Sequence, residues 1–492
     1  MLAFKAMKGA GWLVVSRFAG RIIDFFTLLF LARLLTPADF GLAALAMSLV
    51  VVVDTVLEVP VTQALVRLPA IDKSHLDTGF TLSLLRSVAI ALIVMSAAWP
   101  FSMLNHNPQL FPLIAVLAIG PIVRGFYSPG MVNFTRAMAF QQTFLVEFSG
   151  KLGAFVVATV TVFSGGSYWA IVANIVSASI VTAIASYMIA PYRPALSLRR
   201  FADFSGFIGW FSLSQLISAL NWQFDRFLIG YATNSTILGR YAVASDISVI
   251  PTQSIIGPAL QPVMSAFSQI SSDTARLRLA FLKAARFAML ISFPVCIGIS
   301  LTSDLITDLL LGSHWSSAAP YLSILALAVI PIPYFQTLYS LSMSLNQAHL
   351  LFKINVIDLC IRVALVSLGY ALFSVVGVSY ARVAVSAIMF AINMLYVRHL
   401  LKLPVLEQLK NIWKIALAAA AMVTVVLVGR PSVDLFVLGH IGGYELPRAF
   451  NLFLKIGAVA LIGAVTYAAV LYCLGLRIHV GRNRFGLSDN RW

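Results

Sequence analysis

The chain has 492 residues, 60% of them hydrophobic and 11% charged. That balance excludes a soluble globular protein of this length, and apolar runs of membrane-spanning length recur from end to end, so the fold class is all-α integral membrane. The runs are continuous rather than alternating, which excludes a β-barrel. The net charge of +16 is no nucleic-acid footprint, because most of the basic residues lie in short links between spans.

Lys5 and Lys8 give the N-terminus the look of a signal n-region. The apolar run that follows is too long and holds arginines, so it reads as an uncleaved first span. Within Gly9 to Leu35, Arg17, Arg21 and Asp24 fall in an arc of about 60° on a helix. A charge at the centre of a membrane helix costs roughly 2.5–3.5 kcal/mol, so this stripe must face protein or water. An internal salt bridge would satisfy part of it. The excess of arginine over aspartate asks for a further anionic partner, in the protein or in a ligand.

About fourteen spans are predicted: 9–34, 40–63, 78–99, 110–131, 139–162, 167–190, 206–230, 240–266, 284–303, 319–345, 351–372, 375–398, 412–429 and 451–475. With the N-terminus inside, the inward links carry about 21 basic residues against about 5 outside, Arg33, Arg240, Arg430 and Arg448 among the latter. Both termini are therefore expected in the cytoplasm. The stretch from Thr274 to Lys283 reads as an amphipathic connector on the cytoplasmic face. A shift of about 198 residues overlays Phe40–Ala46 on Leu238–Ala244, which predicts two six-helix lobes in parallel repeat around a central cavity. The expected division is 1–200 for one lobe, 201–402 for the other, 403–475 for two extra helices and 476–492 for a basic cytoplasmic tail.

Ionisable residues recur inside the other spans. Asp54 and Glu58, Glu147 and Lys151, and Asp358 and Arg362 are each spaced i,i+4, and Asp225, Arg226 and Asp246 cluster on spans seven and eight. Arg86 and Arg382 have no evident partner in their own helices. Each i,i+4 pair of opposite charge can be a local salt bridge; together the set suggests a polar pathway. Arginine suits phosphate, since its planar fork binds two oxygens at once. The acids could instead hold a coupling cation or proton. Cys296, Cys360 and Cys473 read as apolar core residues, and the scattered histidines show no metal spacing. No phosphate loop is present, so ATP is not expected to drive the chain directly, and no cofactor or metal is expected.

Arg33-Leu34-Leu35-Thr36-Pro37-Ala38-Asp39-Phe40-Gly41, and Asp225–Gly230 followed by Leu238-Gly239-Arg240-Tyr241-Ala242, resemble segments of bacterial polysaccharide transporters. Over about residues 1–400 the chain resembles the Wzx-type oligosaccharide flippases, in the subgroup of lipopolysaccharide and exopolysaccharide exporters. Their superfamily also holds multidrug exporters and peptidoglycan-precursor flippases. The resemblance implies a two-lobed alternating-access transporter of the bacterial inner membrane. Its implied cargo is an oligosaccharide on undecaprenyl pyrophosphate, its neighbours are membrane lipids, and a polysaccharide polymerase and export machinery would be partners. On this reading Arg17, Arg21, Arg86, Arg226 and Arg362 hold pyrophosphate, while Asp24, Asp54, Glu147, Lys151, Asp225 and Asp358 serve ion coupling or charge pairing. Trp210 and Trp222 could stack on sugars, whereas Trp12 reads as an interfacial anchor. A small-molecule cation antiporter of the same fold would use the aspartates and tolerate loss of the arginines. A polysaccharide polymerase or ligase would need a large outward loop, and the longest here, about 430–450, is short.

Overall fold

The structure, a computed structural model, describes residues 2–57, 61–68, 70–137, 139–205, 210–438, 448–481 and 484–489. Glu58 and the side chains of Trp12, Arg17 and Trp210 lie outside the described set. The chain divides into two compact units, Met1–Ala242 and Val243–Trp492.

The first unit holds α1 (Leu2–Leu34), α2 (Pro37–Val56), α3 (Val61–Arg67), α4 (Lys73–Leu104), α5 (Leu110–Leu117), α6 (Ile119–Gly125), α7 (Val132–Arg136), α8 (Phe140–Phe163), α9 (Trp169–Ile189), α10 (Ala202–Ser205), α11 (Trp210–Ala232) and the start of α12 (Ser235–Pro251). The second continues with α13 (Gly257–Gln269), α14 (Thr274–Leu301), α15 (Ser303–Leu310), α16 (Ala319–Val329), α17 (Ile332–Ser344), α18 (Ala348–Leu401), α19 (Val405–Leu438) and α20 (Arg448–Cys473). An antiparallel ribbon follows, β1 (Leu476–Gly481) against β2 (Arg484–Asp489), with Leu476 opposite Asp489. This ribbon occupies the stretch that the sequence presents as a basic tail.

Among the described residues nine helices are long and apolar enough to cross a membrane, or ten if the bent pair Leu110–Gly125 and Pro129–Arg136 is one span. Trp99, Phe163, Met188 and Val428 are each more than 60% exposed. Such side chains on helices of this length belong in lipid, and the protein is a multi-pass membrane protein. One of the nine, α18, breaks at Phe373 and Ser374, the latter at φ 54°. The break falls between the predicted spans 351–372 and 375–398. Beside it Gly369 and Gly377 touch so closely that a Cβ on Gly377 would sit 1.9 Å from the Gly369 carbonyl oxygen.

Two sequence expectations change. The stretch from Thr274 to Lys283 is no separate surface helix. It is the first part of α14, capped by Asp273, which accepts from the Ala275 and Arg276 amides at 3.1 Å each. Leu277 and Phe281 are buried in the core of the second unit, where Phe281 meets the Tyr334 ring edge-on at 5.7 Å, so apolar packing carries the helix onward. Of the cysteines only Cys296 is buried; Cys360 and Cys473 are exposed on their helices.

The motif at the start of α2 has a mechanical explanation. Thr36 and Asp39 form a capping box: the Asp39 amide donates to Thr36 Oγ1 at 3.3 Å and the Thr36 amide to Asp39 Oδ2 at 2.9 Å. Pro37 sits at the first helical position, where its missing N–H is harmless. The Ser167 hydroxyl donates to the other Asp39 oxygen and ties this cap to the turn before α9. At the repeat offset, Asn234 caps α12 by accepting from the Ile237 amide at 3.0 Å. The two helix starts also touch reciprocally. A Cβ on Gly41 would lie 1.7 Å from the Ser235 carbonyl oxygen, and one on Gly239 would lie 1.7 Å from that of Pro37. Gly41 and Gly239, like Pro37 and Ser235, are 198 residues apart, so this contact has the form of a two-fold one.

Candidate functional site

The first unit gathers half-buried and exposed charge at two neighbouring places. The first lies between α1 and α8. Glycine at position 20 brings the helices close: a Cβ there would meet Lys151 Cε at 3.3 Å. Lys151 Nζ reaches over this gap to Asp24 Oδ2 at 2.5 Å and to the Gly20 carbonyl oxygen at 3.2 Å. Asp24 is thus neutralised across helices, by a lysine 127 residues away, not by Arg21 one turn along its own helix. Arg21 is exposed, and it has no ion pair or hydrogen bond among the described residues.

The second place is a cavity of about 630 Å³ lined by Asp54, Arg86, Arg124, Tyr127, Thr143 and Glu147, among others. Asp54 stands one turn or less from the end of α2. Arg86 of α4 gives Nη2 to Asp54 Oδ1 at 2.8 Å and to the Asp54 carbonyl at 2.9 Å, and Nε to the Leu57 carbonyl at 2.6 Å. It therefore pairs with the acid and also answers the orphan carbonyls at the helix end, where a cation is favoured. Arg124 of α6 takes the second Asp54 oxygen at 2.9 Å, yet its side chain is 53% exposed. Thr143 Oγ1 is buried with no hydrogen-bond partner among the described residues. Glu147 lines this cavity, and Lys151, one turn further along α8, serves the first place, so one helix face joins the two.

The cavity has a firm frame. Arg136 Nη1 donates to the carbonyls of Leu65 at 2.7 Å and Leu68 at 2.6 Å, closing the end of α3. The link 190–201 lies along α4: the Tyr192 hydroxyl and the Ala195 amide both donate to Asp77 Oδ1, at 2.8 and 2.9 Å. Burial first, then this bond to Asp77, pushes the Tyr192 phenol up from its ordinary value. At the start of α4 the Ser74 hydroxyl, followed by the His75 amide, holds the exposed Asp72 carboxyl well below the usual carboxylate range.

The remaining candidates sit elsewhere. Asp225 is buried on α11 and accepts from the Tyr241 hydroxyl at 3.0 Å, with half-buried Arg226 next in the chain. In the second unit Arg362 Nη2 and Asp358 Oδ2 pair within α18 at 3.0 Å, while Arg362 Nε and Nη1 are buried without a hydrogen-bond partner among the described residues. Arg124 is the site residue that sequence reasoning passed over. Its signal was available, since an arginine inside an apolar run needs an acid, and Asp54 had a spare oxygen.

Comparison with known proteins shows the family. A family model described as "Polysaccharide biosynthesis protein" matches residues 30–320. The lipopolysaccharide biosynthesis protein WzxC of Escherichia coli (strain K12) is 23% identical over 76% of this chain and 77% of its own. The succinoglycan biosynthesis transport protein ExoT of Rhizobium meliloti (strain 1021) is 24% identical over 65% of each. Among solved structures, the lipid II flippase MurJ in its inward closed conformation superposes with a TM-score of 0.73 at 13% identity, over 93% of this chain and 97% of that one. At that identity the likeness concerns the fold alone.

Proposed function

The chain belongs to the polysaccharide biosynthesis protein family, and we propose that it is a flippase for lipid-linked oligosaccharides. In this reading it carries undecaprenyl-pyrophosphate-linked repeat units from the inner to the outer leaflet of the bacterial inner membrane by alternating access, for exopolysaccharide or lipopolysaccharide. It makes and breaks no covalent bond. Fourteen spans with both termini in the cytoplasm complete the reading, on the strength of the loop charges.

One observation carries it: Arg21 is exposed and without a partner among the described residues, in a helix of bilayer length, while its neighbour Asp24 is already held by Lys151. A cation left over in this way suits an anion that comes and goes. A pyrophosphate offers several oxygens to a guanidinium fork, and Arg124, half-exposed on the cavity wall, offers a second one. Asp54 then holds Arg124 at the cavity wall, Lys151 occupies Asp24 and leaves Arg21 to the cargo, and Arg86 serves as a tie between helices.

Deleting the gene tests the reading. Surface polysaccharide should vanish while its lipid-linked repeat unit accumulates on the cytoplasmic side. Loss of the polysaccharide without that accumulation would place the defect at another step. Reporter fusions after Asn107 and Ser313 should report the periplasm, and those after Ser197, Asp273 and Pro404 the cytoplasm; one reversed site breaks the span count.

A further inference from the structure

Where α18 ends and α19 begins, the second unit carries a hollow of about 820 Å³, apart from the candidate site of the first unit. Its titratable lining is Arg398, His399 and Lys402, with no carboxylate among the lining residues. Leu395 and Leu406 flank it and are 54% and 62% exposed. Residues 395, 398 and 399 share one helix face by their i, i+3, i+4 spacing, and Lys402 follows at the turn.

Basic residues in a last turn ordinarily answer the helix's own free carbonyls. Here the last of those carbonyls, that of Leu401, is answered from α14 instead, and a buried glutamine braces the turn. Arg278 Nε donates to the Leu401 carbonyl at 2.5 Å. The buried Gln408 amide donates to the carbonyls of Leu403 at 3.0 Å and Met394 at 3.2 Å. Arg398, His399 and Lys402 are exposed and make no hydrogen bond or ion pair among the described residues. Lys402 takes the left-handed conformation, φ 51°, which ends the helix and sets the turn. Three basic side chains thus line the hollow at this turn, with no carboxylate in its lining. Beyond Leu406, α19 continues outward with exposed Leu409, Lys410 and Trp413, a sequence of apolar, cationic and indole side chains suited to the boundary between headgroups and acyl chains.

We propose that this hollow is a headgroup site for an anionic phospholipid of the surrounding leaflet, with Arg398, His399 and Lys402 on the phosphate and Leu395 and Leu406 against the chains. Free phosphate shares the chemistry of the headgroup, but the two exposed leucines have a use only with a lipid. Such basic pockets beside membrane helices are a recurrent way of holding anionic lipids.

The test uses the full-length protein, delipidated in neutral detergent, with thermal unfolding as the readout. Added phosphatidylglycerol should raise the transition temperature, and phosphatidylcholine should not. The R398Q/K402Q double variant should need about fivefold more phosphatidylglycerol for each charge removed, whereas R276Q, which removes an exposed charge elsewhere, should respond as the parent does. An equal response of R398Q/K402Q and the parent overturns the site. An equal shift from inorganic phosphate or pyrophosphate alone overturns the lipid and leaves a free-anion site. If R398Q/K402Q fails to accumulate, native mass spectrometry of R398Q and K402Q decides separately: each should retain severalfold less co-purified anionic phospholipid than the parent, and equal retention overturns the proposal.

Discussion

The ion pairs among the candidate charges inside the spans are built differently in the two units, although at α15 the second unit also has cross-helix pairs, Asp304 with Arg430 of α19 and Asp308 with Arg448 of α20. In the first, two acids of the candidate site are met from other helices: exposed Asp24 of α1 by Lys151 of α8, and half-buried Asp54 of α2 by Arg86 of α4 and Arg124 of α6. In the second, Asp358 and Arg362 are partners four residues apart on α18. An i,i+4 pair forms whenever its helix forms, so it adds little to tertiary order. A cross-helix pair exists only when two helices are correctly placed, and it resists their separation. The first unit's charges therefore hold helices together and fix the surroundings of Arg21. The α18 pair mainly makes a charged helix face tolerable.

Substitutions can break or sharpen this contrast. The largest loss is expected from Arg86→Ala, which leaves Asp54 with one partner and uncaps the end of α2. Thermal unfolding in detergent should show a loss of about 3 kcal/mol, and Arg124→Ala should lose clearly less, because its exposed guanidinium makes a single contact. Next come Asp24→Ala and Lys151→Ala, each costing about 1–2 kcal/mol through the charge left unpaired. The exchanged pair Asp24→Lys, Lys151→Asp should recover much of that loss, and additive losses in the exchange would show that the two side chains do not meet. The smallest effect belongs to the α18 pair. Asp358→Ala with Arg362→Ala should stay within about 1 kcal/mol of the parent. A loss as large as that of Arg86→Ala would make the α18 pair a tertiary tie as well.

The membrane class, the helical segments and the family were legible in the sequence, because continuous apolar length and short local signatures encode them. The Thr36-Pro37-Ala38-Asp39-Phe40-Gly41 stretch could be recognised, but its physics could not be read. The capping box is local, whereas the reason for glycine at 41 is the Ser235 carbonyl, far along the chain. Charge partners divided in the same way. Asp358 and Arg362 were legible as a pair from spacing alone. Asp24 with Lys151, and Asp54 with Arg86 and Arg124, depend on which helices pack, and helical spacing carries no trace of that. The same blindness suggested Arg21 as a partner for Asp24, when the lysine of α8 takes that place. The connector at Thr274 looked superficial because its basic residues are prominent, yet Leu277 and Phe281 turn its other face into the core.

The central claim is that Arg21 is kept free for an anionic cargo. The most direct measurement is surface polysaccharide in a strain lacking the chromosomal copy, complemented by Arg21→Ala, Arg21→Lys or the parent at matched membrane levels. Arg21→Ala should lower polysaccharide at least about tenfold and raise the lipid-linked precursor, with Asp24 and Lys151 still paired. Arg21→Lys, which keeps the charge and loses the fork, should fall between. Full polysaccharide from well-expressed Arg21→Ala would contradict the claim and turn attention to a small-molecule antiporter that works through its aspartates.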